Sequence, residues 1–328
     1  MSKVIFVGDT HLTGINPSSR KETREQYRQL LLDKLESIRQ ICLTQGAKNV
    51  IILGDVFNNN SGISNIFESE IWDKFLEFKA ENINVYTIVG NHDMAFQNEN
   101  EFKGTYLYKA FLVGVLKHLD EINVDSVTIK GFDYLQDYIP TDKLNNKSFY
   151  NICVAHSFYE NERFGGTGNS NLTKPWCEEL GYDAYVLGHD HVPYGDVEEP
   201  LFKVIRPGSL TRGTSKTCNL YRKVCVSMFD TITHDWSLVE IPTKPGTEVF
   251  NEKVIISKDV DLNIKEIITN LDYSQHTDTY DILAKNEEAG RQTLKEDYDD
   301  VINVIVQNLE AVGIYKRLED SNDNYTNN

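Results

Sequence analysis

The sequence of 328 residues has no run approaching the ~20 consecutive apolar residues that a helical membrane span requires, so none is expected. Met1-Ser2-Lys3 passes straight into Val4-Ile5-Phe6-Val7 without an apolar leader or a cleavage site, and the chain reads as cytoplasmic. Cysteine is scarce: Cys42, Cys153, Cys177, Cys218 and Cys225 are odd in number and form no C-x-x-C pair. That excludes a disulfide framework and a zinc knuckle, and leaves reduced thiols in a core. Positive charge is also short, with 33 Lys and Arg against 50 Asp and Glu, a net charge of −17 that repels polyanions at long range. A role on nucleic acid would have to rest on local basic features. There is no internal repeat and no low-complexity tract beyond Asn58-Asn59-Asn60.

What remains is an ordinary globular composition, 40% hydrophobic and 25% charged, in a chain long enough for a large domain with an appendage. Five short apolar runs, Val4 to Val7, Val50 to Leu53, Val85 to Val89, Ile152 to Ala155 and Ala184 to Leu187, suit strands buried on both faces. Helical patterns lie between the first three: Glu22 to Cys42, with Leu30, Leu31, Leu35, Ile38 and Ile41 on one face, and Ile66 to Lys79, with Ile71, Trp72, Phe75 and Phe78. Alternation of this kind predicts an α/β fold with a parallel or mixed sheet under helices.

After Ile205 the runs shorten, and Val224 to Phe229 with Trp236 to Ile241 read as a hairpin joined by Asp230 to Asp235. Pro242-Thr243-Lys244-Pro245-Gly246 then marks a domain boundary. The expected organisation is a main domain over 1–245, a small α/β domain over 246–320 and a disordered polar tail over 321–328. The small domain reads as strand Glu252 to Ser257, helix Ile264 to Asn270, strand Thr279 to Ala284 and helix Lys295 to Leu318. The amphipathic stretch from Tyr298 to Leu318 is either packed core or a partner-binding face.

Each apolar run ends in a polar cluster: Gly8-Asp9-Thr10-His11, Gly54-Asp55-Val56-Phe57, Gly90-Asn91-His92-Asp93, Ala155-His156-Ser157 and Gly188-His189-Asp190-His191. The carboxyl ends of parallel strands share one edge, so the five clusters are expected to converge. Glycine ahead of the polar residue lets the chain leave the strand where a Cβ would clash. Asp9, His11, Asp55, Asn91, His156, His189 and His191 offer carboxylate, amide and imidazole donors suited to two divalent ions, manganese first and iron or zinc next. Two such ions and two aspartates leave roughly +2 to hold a phosphate and a hydroxide. His92, not needed as a ligand, can protonate a leaving group, with Asp93 orienting its ring or raising its pKa. His118, His234 and His276 read as ordinary surface or core histidines.

The order D-x-H, G-D, G-N-H-D, H and G-H-x-H across Asp9 to His191 resembles the calcineurin-like metallophosphoesterases. The resemblance implies a four-layered sandwich, two mixed sheets flanked by helices, with both metals at the strand ends. It also implies that Asp9, His11 and His191 hold one metal and Asn91, His156 and His189 the other, with Asp55 bridging and His92 as general acid. Protein phosphatases of this superfamily carry D-R-G after the G-D motif and use G-N-H-E, whereas here Asn58-Asn59-Asn60 follow and Asp93 replaces the glutamate. Asp9-Thr10-His11-Leu12, Gly54-Asp55-Val56-Phe57 and Arg206-Pro207-Gly208-Ser209-Leu210 are instead similar to the SbcD-type DNA repair nucleases and their phage relatives. Many of those have histidine where Asn58 stands.

That resemblance implies a DNA exo- or endonuclease, the nuclease subunit of an SbcCD-like recombination and repair complex. Its nucleophile would be a metal-activated hydroxide and its partners DNA and an SbcC-type ATPase, with a homodimer left open, and the small domain would cap the cleft. Basic residues flanking the first and last motifs are candidate DNA contacts: Arg20 and Arg24, with Lys21 and Arg28, and Arg206 and Arg212, with Lys216, Arg222 and Lys223. The alternatives are a cyclic-nucleotide or other small-molecule phosphodiesterase with the same core, and a non-catalytic scaffold.

Overall fold

The computed structural model describes residues 2–58, 63–94, 102–141, 150–160, 171–192, 197–213 and 218–251. The expected second domain from residue 252 onward, with the amphipathic stretch, His276 and the tail, lies outside the described residues. Among the described residues no helix is long and apolar enough to cross a membrane.

Two six-stranded mixed sheets form the centre. In the first, β1 (Lys3–Val7), β2 (Asn49–Ile52), β3 (Asn84–Thr87) and β4 (Lys117–His118) run parallel, while β13 (Cys225–Asp230) and β14 (Trp236–Glu240) add the antiparallel hairpin beyond β1. In the second, β6 (Val127–Phe132), β7 (Tyr150–His156), β10 (Ala184–Gly188) and β12 (Lys203–Ile205) are parallel, edged antiparallel by β5 (Glu121–Val124) and β11 (Val197–Glu198). Between β7 and β10 in the chain, β8 (Phe158–Glu160) and β9 (Asn171–Thr173) pair with each other in parallel as a small separate sheet.

The strand pleat sends alternate side chains to opposite faces, and this builds the four layers. Val4 and Phe6 of β1, with Ile51 and Leu53, meet Ile152, Val154, Ala184 and Val186 of the other sheet. Ile5, Val7, Val50 and Ile52 point the other way, onto the helices α1 (Arg24–Gln45) and α2 (Asn65–Ala80) through Leu31, Leu35, Ile38, Phe67, Ile71 and Phe75. On the far side, Cys153, Ala155, Tyr185 and Leu187 pack on Cys177 and Leu180 of a short helix, Lys174–Leu180. The apolar runs are therefore continuous because both faces of each strand are covered. Thr23 and Gln26 close a capping box at the start of α1, and Gly46 ends it with a left-handed φ of 70°.

Cys42, Cys153 and Cys177 are buried free thiols and Cys225 is half-buried and free, consistent with the expected reduced core. The short helix Gly246–Val249 and Phe250 belong to the first unit: Lys21 and Asn251 donate backbone bonds to Val249 and Ser19 at 2.8 and 2.9 Å, and the unit runs to Asn251. It thus continues past the Pro-rich boundary expected at 245, because Phe250 is fully buried in it.

His118 at the end of β4 lies 3.0 Å from Asp133 and 3.0 Å from Asp120, and Asp133 also accepts the Val89 amide at 2.7 Å. The bond to Asp133, against an opposing burial effect, raises the His118 pKa above its ordinary value. A raised folded-state pKa contributes stability that is complete below the unfolded value of about 6.5 and is lost as pH climbs through the folded one. Wild type should therefore melt above His118→Asn at pH near 6 and match it at pH near 9, as calorimetry would show; equal Tm values at both would discount the contact.

Candidate metal centre

The polar clusters leave the carboxyl ends of β1, β2, β3, β7 and β10, and the adjoining loops zip together there. His11 and Leu12 donate to the carbonyls of Asp55 and Val56 at 2.9 and 2.8 Å, and Asn58 donates back to Leu12 at 3.1 Å. Close approach explains two of the glycines better than a sharp turn does. A Cβ at Gly90 would sit 2.1 Å from Asp55 Oδ1, and one at Gly8 would sit 2.0 Å from the Gly208 carbonyl. Gly54, at φ 86°, is the one that turns the chain through the left-handed region.

Three donor-bearing residues that are not glycine also lie in that region: His11 (φ 42°), Asp55 (φ 48°) and His189 (φ 76°). Such backbone costs energy and persists only where its surroundings impose it.

The donors fall into two groups that share one carboxylate. Asp9, His11, Asp55 and His191 form the first and Asp55, His156 and His189 the second, each with its donor atoms within 4.8 Å of one another. In the first, His191 Nε2 stands 3.3 Å from Asp9 Oδ2 and 2.9 Å from His11 Nε2, which is 3.8 Å from both Asp9 and Asp55. In the second, His156 Nε2 is 3.4 Å from Asp55 Oδ2, 3.2 Å from His189 Nδ1 and 2.9 Å from Asn91 Oδ1, which adds Asn91 to the group. Donors bonded at ~2.0–2.2 Å to one ion lie roughly 3–3.5 Å apart, so the residues present fit two divalent ions. His156 Nδ1 donates to the Leu53 carbonyl at 2.8 Å and leaves Nε2 free for a metal. His189 is walled by the rings of Tyr134 and Phe158, isolated aromatics that no sequence pattern marks.

The electrostatics agree with cation binding. Burial alone would raise the Asp9 carboxyl, yet His156, His191 and His11 hold it below the usual carboxylate range. Asp55 is likewise lowered, its burial outweighed chiefly by His156. Burial opposes charge on His156, but Asp55 and Asp9 bring it up to about 9. His11 and His189 are pushed down to about 4, mainly by burial. The two carboxylates thus favour a proton on His156, which a metal bound at its Nε2 would have to displace.

His92 lies outside both groups, exposed, with its Nδ1 2.8 Å from the Asn58 carbonyl. A carbonyl only accepts, so Nδ1 carries the proton and Nε2 is left to work. Asp93 does not orient that ring, contrary to the expectation from sequence. Its buried carboxylate accepts the amides of Val56, Phe57 and Gly90 at 3.2, 3.1 and 3.1 Å, clamping the Asp55 loop to the Asn91 loop. Burial, with the neighbouring Asp55 charge, raises it to about 7.

Two of the candidate DNA contacts are corrected as well. Arg20 is buried, paired with Glu22 at 2.6 Å and donating to the Arg212 carbonyl at 3.0 Å; Arg212 is buried and donates to the Lys244 carbonyl. Neither guanidinium reaches the surface. Arg24 is exposed, although its Nε donates to the Gly14 carbonyl at 2.5 Å, and Arg206 is half-buried.

A cleft of about 460 Å³ opens beside the first donor group. His11, His92 and His191 form one side, while Tyr27, Thr211 and Gly213 form part of the rest. Sequence reading passed over Tyr27 and Thr211 because neither belongs to a motif.

Two mixed sheets with paired donor groups at their strand ends define a metal-dependent phosphoester hydrolase. The chain belongs to the family of calcineurin-like phosphoesterases, which matches residues 2–193. Among solved structures, it is similar to the protein TT1561 of Thermus thermophilus, at 10% identity over 73% of this chain and 99% of that one, TM-score 0.45. A dimetal phosphatase from Danio rerio gives 11% identity over 76% and 97%, also with a TM-score of 0.45. No curated protein matches the chain.

Proposed function

We propose that this protein is a phosphodiesterase acting on DNA with two divalent metals, manganese by preference, as the nuclease subunit of an SbcCD-like complex with an SbcC-type ATPase. The observation that carries this reading is the place of Arg206-Pro207-Gly208-Ser209-Leu210, one of the three segments similar to the DNA repair nucleases. It is built into the site, with the amide of Ser209 on the His191 carbonyl at 3.1 Å and that of Leu210 on the Asp9 carbonyl at 2.9 Å.

Bound at the two donor groups, the metals would supply Lewis-acid stabilisation of the phosphoryl oxygens and an activated water. Asp9, His11 and His191 would hold one of them, Asn91, His156 and His189 the other, and Asp55 would serve both. His92 stands at the cleft side with Nδ1–H on the Asn58 carbonyl, which leaves its Nε2 for proton transfer. Its Nε2–H can pass a proton to the departing sugar oxygen. The cleft has room for a nucleoside arm of the diester.

The test is turnover of labelled duplex DNA, a cyclic nucleotide and bis-p-nitrophenyl phosphate side by side with manganese, with and without an ATPase partner. The expected result is DNA cleavage that falls steeply with salt, while hydrolysis of the small diester stays nearly flat. Turnover of the cyclic nucleotide with inert DNA would move the assignment to a small-molecule phosphodiesterase.

A further inference from the structure

Lys34 is buried in the middle of the apolar face of α1, where its Nζ donates to the Leu210 carbonyl at 2.7 Å. It has three cationic neighbours. Burial pushes the Lys34 ammonium well below the ordinary lysine range, and the charges of Arg20, Arg212 and Arg222 push the same way. These side chains grip one short loop. Arg222 donates to the Ser209 carbonyl at 2.9 Å and to the Thr211 carbonyl at 2.5 Å, and Arg20 donates to the Arg212 carbonyl at 3.0 Å. Four successive carbonyls, from Ser209 to Arg212, therefore each accept from a buried or half-buried cation.

The amides of the same loop point toward the metal centre. Ser209 N–H is on the His191 carbonyl and Leu210 N–H is on the Asp9 carbonyl. The Ser209 carbonyl and the Leu210 amide belong to one peptide group, so the Arg222 charge polarises the bond that holds Asp9. Both anchored residues belong to the donor group of Asp9, His11, Asp55 and His191. In the other group His156 bonds to the Leu53 carbonyl and to Asn91, and His189 donates its amide to the Asp9 carboxylate at 3.1 Å, so the loop bears on that group through Asp9.

We propose that Lys34 and Arg222, with Arg20, are positioning residues for one of the two metal positions, the one formed by Asp9, His11 and His191, through their hold on the 209–212 loop. The inference rests on the metal-binding reading of the site. A chain with net charge −17 has concentrated these basic side chains where solvent salt screens them little. Their work is to fix a loop.

The experiment is manganese titration of Lys34→Met and Arg222→Gln followed by elemental analysis, paramagnetic resonance and calorimetry. Wild type is measured first; if it binds fewer than two metals, the metal reading itself fails and takes this proposal with it. His191→Ala and His189→Ala provide the spectra of chains with one impaired position each.

The expected variant loses one metal at limiting manganese, shows a residual spectrum like that of His191→Ala, and weakens by ~10–100-fold for that ion alone. Excess manganese should restore most of kcat. Loss of both metals in step with Tm would show a merely structural role and overturn the proposal, as would two metals at wild-type affinity. Should Lys34→Met fail to fold, Arg222→Gln decides, because it removes the charge from a half-buried side chain outside the apolar face of α1.

Discussion

Asp55→Ala should lose both metals and all measurable turnover together. Asp55 is the one carboxylate common to both donor groups. Its removal takes a bond from each ion and leaves a single carboxylate, Asp9, among the donor residues to offset four positive charges. The Asp55 Oδ1 also accepts the His92 amide at 2.8 Å, so the proposed general acid loses its anchor at the same time. Activity should fall by at least ~10⁴, beyond the range expected for a proton donor alone. Elemental analysis decides: two metals per chain in Asp55→Ala would show that the carboxylate does not bridge.

His92→Asn should behave in the opposite way, with both metals kept and turnover lost. The ring is exposed, contributes to neither donor group and touches the protein at the Asn58 carbonyl and edge-on against the His11 ring, so its loss costs little stability. A general acid typically contributes ~10²–10⁴ in rate, and more where the leaving oxygen is a poor one. The deficit should therefore be large on DNA or an alkyl diester and small on a p-nitrophenyl diester, whose leaving group departs without a proton. Equal deficits on the two substrates would falsify the proton-donor role.

These expectations could be drawn because the strand-end clusters are legible in the sequence. An apolar run ending in a polar cluster reports two-sided burial and a ligand edge at once, and β1, β2, β3, β7 and β10 all stand where those runs predict. Of the four edge strands, β14 stands where the hairpin was read, whereas β4, β5 and β11 were not legible. Glu121–Val124 carries exposed and half-buried side chains and pairs on one side only, so no apolar run marks it.

Charge was the weakest guide. Arg20 and Arg212 were candidate surface contacts because sequence counts charges and does not report burial. Lys34 went unnoticed although its spacing is informative: it sits with Tyr27, Leu31, Leu35 and Ile38 on the face of α1 that packs inward. A lysine in an apolar stripe is a signal that something across the interface needs a donor. Asp93 was misjudged through adjacency, since neighbouring residues on a tight loop face different ways and it turned to the amides of Val56, Phe57 and Gly90.

The left-handed backbone at His11, Asp55 and His189 sets a direction for sequence drift. At each of these places glycine would relax the backbone, and the need for a donor side chain opposes it. A lineage that stopped using the metals would find glycine at these positions the readiest gain in stability. Screens of random variants for heat resistance alone should therefore enrich the same changes, producing tougher proteins with an emptied centre. Screens that also demand metal should leave all three untouched.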